Sequence, residues 1–289
     1  MLSFNKILLP VDLQGSSKQV VHQAAVLARH FHSEIILLHV VTPLSYSAGA
    51  LEGSYVPANL DDLLKELLRQ AQKELDRTLA PELDGLPVKR MLLEGDPAST
   101  IVRIARDEKA NLIVMPTHGY GAFRRFLLGS VTAKVLHDSE CPIWTGAHLE
   151  EAPTSEFAIR NILCAIDLGQ HSSNTVRWAA QLAAEFEAKL MLGHITVGVD
   201  DYGPEGHHFG PKWKEALISS ATQRIAKLQE ETNTRAEVFI DSGDVPRLLS
   251  KQTKNGKVDL LVVGRPSHGR LRATGYGIIH ESPIPVLSV

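Results

Sequence analysis

The chain of 289 residues carries 30 basic and 33 acidic side chains, a formal charge of −3, so no global field draws it to nucleic acid or to an anionic membrane. Its two cysteines, Cys141 and Cys164, cannot build a disulfide framework, and no apolar run approaches the roughly 20 residues of a membrane span. The opening MLSFNKILLPVD has no signal-peptide pattern, and a soluble cytoplasmic protein without membrane insertion is expected. In chain order, the short apolar runs ILLPV, IILLHV, LIVM and PIW alternate with helically spaced stretches such as SSKQVVHQAAVLARHF and LDDLLKELLRQAQKELDRTL. Apolar runs without strict alternation, each followed by a helix, predict an α/β fold with a parallel sheet of about five strands and helices on both faces.

The chain is then written a second time. NKILLPVDLQGSS at Asn5 returns as RNILCAIDLGQHSS at Arg160, which makes Asp12 and Asp167 equivalent, and His39-Val40 returns as His194-Ile195. LEGDPASTIVRIARDEKANLIVM from Leu93 returns as DSGDVPRLLSKQTKNGKVDLLVV from Asp241, matching Gly95 with Gly243. CPIW and IPVLSV close the two copies, and the segment between them, rich in Pro, Ser and Glu, reads as a linker. The expected organisation is a first domain over 1–146, a linker over 147–157 and a second domain over 158–289.

Parallel sheets of this kind take ligands at the carboxyl ends of their strands, near the switch in strand order. Asp12, Val40 and the turn at 116–119 fall at such ends. Gly119 lets the backbone turn where a side chain would clash, and Gly129-Ser130 opens a helix whose free N–H groups and dipole suit an anion. Asp12 could accept hydrogen bonds from a ribose or a base, and the Val40 backbone could read an adenine edge. Blander readings stand beside these. Asp12 could close an Asx turn, Ser130 could be a simple N-cap, and Arg124 and Arg125 could be solvated charges. His30-x-His32 and His207-His208 show no metal-site spacing, and His39 and His194 read as satisfied core histidines. Cys141 reads as a small buried hydrophobe.

The spacing Pro116-Thr117-His118-Gly119, nine residues, then Gly129-Ser130 resembles the nucleotide signature of the universal stress protein family, G-x-x-G, nine residues, G-S/T, in its tandem two-domain form. The resemblance covers nearly the whole chain. It implies an ATP site, or one for AMP or ADP, lined by Pro10, Val11, Asp12, Val40, Met115, Pro116, His118, Gly119, Gly129, Ser130 and Val131, with Thr132 near the phosphate end. It also implies that the last strands of the two units, at Pro142 to Thr145 and Pro285 to Val289, meet within the chain, and it leaves room for a homodimer of tandem chains. Pro116 departs from the pattern, since it has no N–H to offer a phosphate. In the second copy Asp167, Gly264 and Gly269 remain, but the interval from glycine to the closing proline shrinks from 23 residues (119 to 142) to 16 (269 to 285). RLRATGYGIIHES is expected to be too short both to wrap phosphates and to open the same helix, so a structural or altered role is expected there. No P-loop lysine, HIGH-type motif or base beside a nucleophile is present, which favours a nucleotide-binding regulatory protein over a slow ATPase or nucleotidyl-transfer enzyme. A scaffold that has given up nucleotide is the third reading.

Overall fold

Short apolar runs become strands buried on both faces. The computed structural model describes residues 2–13, 15, 17–42, 60–117, 128–146, 157–196, 211–254, 257–265 and 273–289. In the first half they form β1 (Lys6–Pro10), α1 (Lys18–Phe31), β2 (Glu34–Val41), α2 (Leu60–Arg77), β3 (Val88–Glu94), α3 (Pro97–Asp107), β4 (Leu112–Met115), α4 (Ser130–Asp138) and β5 (Ile143–Thr145). The second half repeats the order as β6 (Asn161–Ala165), α5 (Ser172–Glu185), β7 (Lys189–Thr196), α6 (Pro211–Thr232), β8 (Glu237–Ser242), α7 (Val245–Thr253), β9 (Leu260–Val263), α8 (Ala273–Glu281) and β10 (Val286–Ser288).

The ten strands among the described residues belong to one sheet, ordered β3-β2-β1-β4-β5-β10-β9-β6-β7-β8. Each half is parallel throughout, and the halves join at the centre, where β5 and β10 pair antiparallel with Leu287 opposite Trp144. The expected meeting of the last strands is therefore what the chain does, and it covers two edges that would otherwise be open. Alternation along β1 sends Ile7 and Leu9 to one apolar layer and Leu8 to the other. The first layer packs α1 and α2 and continues into α5 and α6; the second packs α3 and α4 and continues into α7 and α8. Each fully buried side chain of Leu or Ile size contributes about 1.5–3 kcal/mol. Trp144 is completely buried beside the seam, and its indole N–H donates to Gln23 Oε1 at 2.9 Å.

The halves also meet through aromatic rings. Phe4 stacks on Trp178 at 6.2 Å, and His30 stacks on Phe186 at 4.4 Å while its Nε2 lies 3.2 Å from Glu185 Oε1. The matched glycines have a backbone cause. Gly95 and Gly243, which end β3 and β8, have φ of +151° and +140°, and a Cβ on Gly95 would lie 2.8 Å from Thr100 Oγ1.

Of the two tasks for which the second copy was expected to be too short, it keeps the helix: α8 has nine residues, as α4 has. The shortening falls on the connector from strand to helix, which runs over 116–129 in the first half and 264–272 in the second.

Candidate nucleotide site

The first-half site is built where β1 and β4 end. Beyond Pro10, the Val11 N–H donates to Leu38 O at 2.8 Å, and the Val11 carbonyl accepts from His39 Nδ1 at 2.9 Å. A carbonyl can only accept, so His39 carries its proton on Nδ1. The second half repeats the contact between His194 Nδ1 and Ile166 O, also at 2.9 Å. The repeated histidine is thus a clamp on the segment that leads to the aspartate. Sequence reasoning treated it as a core residue and missed this role; its recurrence was the available signal.

Asp12 is exposed just past the clamp, and its carbonyl accepts from Gly15 N–H at 3.1 Å. At Asp167 the Asx-turn reading is realised, because Oδ1 accepts from Gly169 N–H at 2.7 Å and from Ser172 Oγ at 3.1 Å. Val40 lies opposite Leu93 on β3. The Leu38 carbonyl faces β1 and the Val41 carbonyl accepts from Gly95 N–H on the β3 side. Alternation therefore turns the Val40 N–H and C=O toward the β1 side, beyond the last residue of β1.

Across the switch point, Met115 ends β4 and is buried, with its carbonyl accepting from Gly146 N–H at 3.3 Å. Two bonds bring the exit of β4 to the start of α4. Gly129 N–H donates to Thr117 O at 2.8 Å, and the Thr132 hydroxyl donates to Pro116 O at 2.9 Å. Thr132 is buried with its hydroxyl proton committed to that carbonyl, Val131 is half-buried and Ser130 is exposed. The N-cap of α4 is Gly129, with no side-chain cap, and Ser130 is the first helical residue rather than the N-cap. By contrast Ser17, Asp96 and Asp244 cap α1, α3 and α7 with side-chain oxygens. His118, Gly119, Arg124 and Arg125 lie outside the described residues.

In the second half a cavity of about 510 Å³ occupies the corresponding place, between Asp167 and the start of α8. Gly264 is packed so closely on α5 that a Cβ would lie 2.3 Å from Thr175 Oγ1. Beside it Arg265 is buried and reaches across to the first half, a residue to which sequence reasoning gave no role. Cys141, whose carbonyl receives that arginine, is half-buried; burial pushes its thiol up to about 12, and Sγ donates to Ala110 O. Among the described residues no group of His, Cys, Asp and Glu is placed to hold a metal ion, and no helix is long and apolar enough to cross a membrane. His207 and His208 lie outside the described residues.

These features define a doubled α/β protein of the class that carries its sites at the ends of a parallel sheet with strand order 3-2-1-4-5. The family model described as "Universal stress protein family" matches residues 3–145 and again 158–289, and the chain belongs to that family. A universal stress protein of Methanocaldococcus jannaschii is 34% identical over 140 residues, covering 48% of this chain and 80% of its own. One from Mycolicibacterium smegmatis is 28% identical over 279 residues, covering 93% of this chain and 89% of its own, so the tandem form recurs. A universal stress protein structure from Archaeoglobus fulgidus has the same fold, with a TM-score of 0.70, 21% identity and coverage of 99% and 98%.

Proposed function

We propose that the first half binds an adenine nucleotide, ATP or in its place ADP or AMP, and that the chain serves in the cytoplasm as a nucleotide-dependent stress-response protein without rapid turnover. The observation that carries this reading is the start of α4. Its first-turn amides have no side-chain cap, and Gly129 is held against Thr117 at the exit of β4. An uncapped helix start of this kind receives a phosphate on its N–H groups and its dipole. The base and ribose then fall toward Val40, whose backbone groups face the space beyond β1, and toward Asp12. Pro10 and Val11 form the floor and Met115 and Pro116 the β4 side, while His118 and Gly119, which the family pattern adds, lie outside the described residues.

The described residues around this cradle supply amides, hydroxyls and one carboxylate, with no base placed to activate water. Hydrolysis is accordingly expected below about 1 per second, the lower end of the ordinary enzyme range. A faster rate that vanished in a Gly129→Asp variant would move the chain to the enzyme class. Mass spectrometry of small molecules released from the denatured, freshly purified protein, followed by calorimetric titration, tests the binding reading directly. One ATP per chain supports it; two equivalent sites or none would overturn it. A scaffold without nucleotide is the second reading, favoured by the missing N–H at Pro116, and absence of any saturable nucleotide binding would establish it.

A further inference from the structure

The two copies treat charge differently on one matched helix. Aligned from Leu93 and from Asp241, the first copy sets Arg103, Arg106 and Lys109 beside the acids Asp107 and Glu108. The second keeps the cations as Lys251, Lys254 and Lys257, carries Asn255 and Gly256 where the acids stood, and adds Arg247 at the place of Ser99. The stretch 245–258 therefore holds four cations and no acid.

Ion pairing follows the sequence. In the first half Arg103 Nη1 lies 3.3 Å from Asp107 Oδ2, and Glu108 Oε1 lies 2.9 Å from Lys89 Nζ. Among the described residues none of Arg247, Lys251, Lys254 and Lys257 has a carboxylate partner, and all four are exposed. Arg247 and Lys251 stand four residues apart on α7, and Lys254, its C-cap, follows three residues later, so one face presents like charges that repel. Such a face gains from a counter-charge brought from outside.

The cations also share a cleft. Arg247, Lys251 and Lys254 line a space of about 540 Å³ along α7, with the half-buried Leu248 beside them. The nine residues of α7 are about 13 Å long, a distance that about four extended residues span. Asp244 and Glu281 line the same cleft, and Asp244 Oδ1 is committed to capping the helix through the Arg247 backbone N–H at 2.9 Å. A continuous polyanion laid along the cleft would meet both carboxylates. A short peptide can set an uncharged residue against each.

We propose that this face of α7 is a docking surface for an acidic segment of a partner polypeptide, about four or five residues long. Its carboxylates lie against Arg247, Lys251 and Lys254, and an apolar residue of the segment covers Leu248. This surface does not rest on the first-half nucleotide reading.

The test is fluorescence anisotropy of the full chain with the fluorescein-labelled peptide EELEE, with QQLQQ and KKLKK as neutral and basic probes and labelled decathymidylate as the nucleic-acid probe. EELEE should bind saturably, about tenfold or more tighter than QQLQQ and KKLKK, and its affinity should fall as salt rises because the cations are exposed. Joint replacement by Arg247→Gln, Lys251→Gln and Lys254→Gln should weaken it about three- to a hundredfold, the span for three exposed ion pairs. The denaturation midpoint of that variant should equal or exceed wild type, since repulsion along the helix is removed. Asn255→Asp with Gly256→Glu, which returns the acids of the first copy, should weaken EELEE with every cation still in place. Arg103→Gln with Arg106→Gln, at the matched positions of the first half, should leave it unchanged. No saturable EELEE binding, QQLQQ or decathymidylate binding as tightly as EELEE, retained affinity in the triple variant, or an equal loss in the first-half pair would overturn the proposal, whatever the result for ATP.

Discussion

The Thr132 hydroxyl donates to the Pro116 carbonyl at 2.9 Å, so the residue that departs from the glycine pattern is latched to the helix that starts the cradle. Proline costs the site one N–H, and a charge-assisted hydrogen bond of that kind is worth roughly 1.5–3 kcal/mol. Pro116→Gly should therefore tighten ATP by about ten- to a hundredfold in calorimetric titration. Thr132→Val leaves the carbonyl without its donor and should lower stability by about 1–3 kcal/mol in urea unfolding, with weaker ATP binding. Thr132→Ser should restore both. Equal ATP affinity in wild type and Pro116→Gly would show that no phosphate lies against this strand end.

Gly129→Asp separates folding from binding. An aspartate at the N-cap can accept from the first-turn amides, so α4 should gain a few tenths of a kcal/mol over glycine. The same carboxylate occupies the donors that a phosphate needs and repels it. The expected outcome is a denaturation midpoint equal to or above wild type with ATP binding abolished. Retained ATP binding in a well-folded Gly129→Asp protein would remove α4 from the site.

The doubled plan was legible because equal strand registers need equal apolar runs: Asn5 onward and Arg160 onward give β1 and β6 with the same neighbours. The join at the seam was legible only through the family resemblance, since nothing in PIW or IPVLSV alone says which strand edge each will meet. Within the candidate site, the positions of Asp12, Val40 and Gly129 at strand and helix ends could be read from spacing alone. The Thr132 latch could not, since a threonine one turn into a helix looks the same whether its hydroxyl meets a phosphate or a carbonyl. That α8 keeps its full length could not be read, because residue counts between a glycine and a proline do not say whether loop or helix absorbs a deletion. Arg265 was invisible for a different reason: its acceptors, Leu136, Ser139 and Cys141, lie in the other copy, and no local pattern encodes a contact of that range.

Asp96 ties α3 to α4 through charge. Its carboxyl is lowered from 3.8 to about 2, first by the Ser99 N–H, then by the Ser99 hydroxyl and by Lys134, whose Nζ lies 3.0 Å away. A depressed folded-state pKa stabilises the fold above the unfolded value near 4 and loses that contribution as pH falls toward 2. Asp96→Asn should therefore destabilise the protein at neutral pH. The gap in denaturation midpoint between the two proteins should narrow from about pH 4 downward. A gap that stays constant to pH 2 would mean that the charge of Asp96 contributes nothing.

Arg265 and the first-half cradle grip opposite ends of one helix. α4 has nine residues, a length of about 13 Å, with Gly129 and Ser130 at its start and the carbonyls of Leu136, Ser139 and Cys141 held by the guanidinium beyond its end. Arg265→Met leaves those carbonyls buried without a donor, which should lower stability by on the order of 2–4 kcal/mol in urea unfolding. Lysine should not rescue, because a single ammonium cannot replace two separate guanidinium nitrogens. A helix released at one end also holds its other end less well. ATP affinity in the first half should fall by about two- to thirtyfold in Arg265→Met, the span expected for 0.5–2 kcal/mol of coupling, although the residue belongs to the second half. His30→Leu breaks a different contact between the halves, to Glu185, and should leave ATP affinity unchanged. Hydrogen exchange should quicken along α4 in Arg265→Met and not in His30→Leu. If both variants weaken ATP equally, the effect comes from a general loosening of the two halves and α4 does not transmit it.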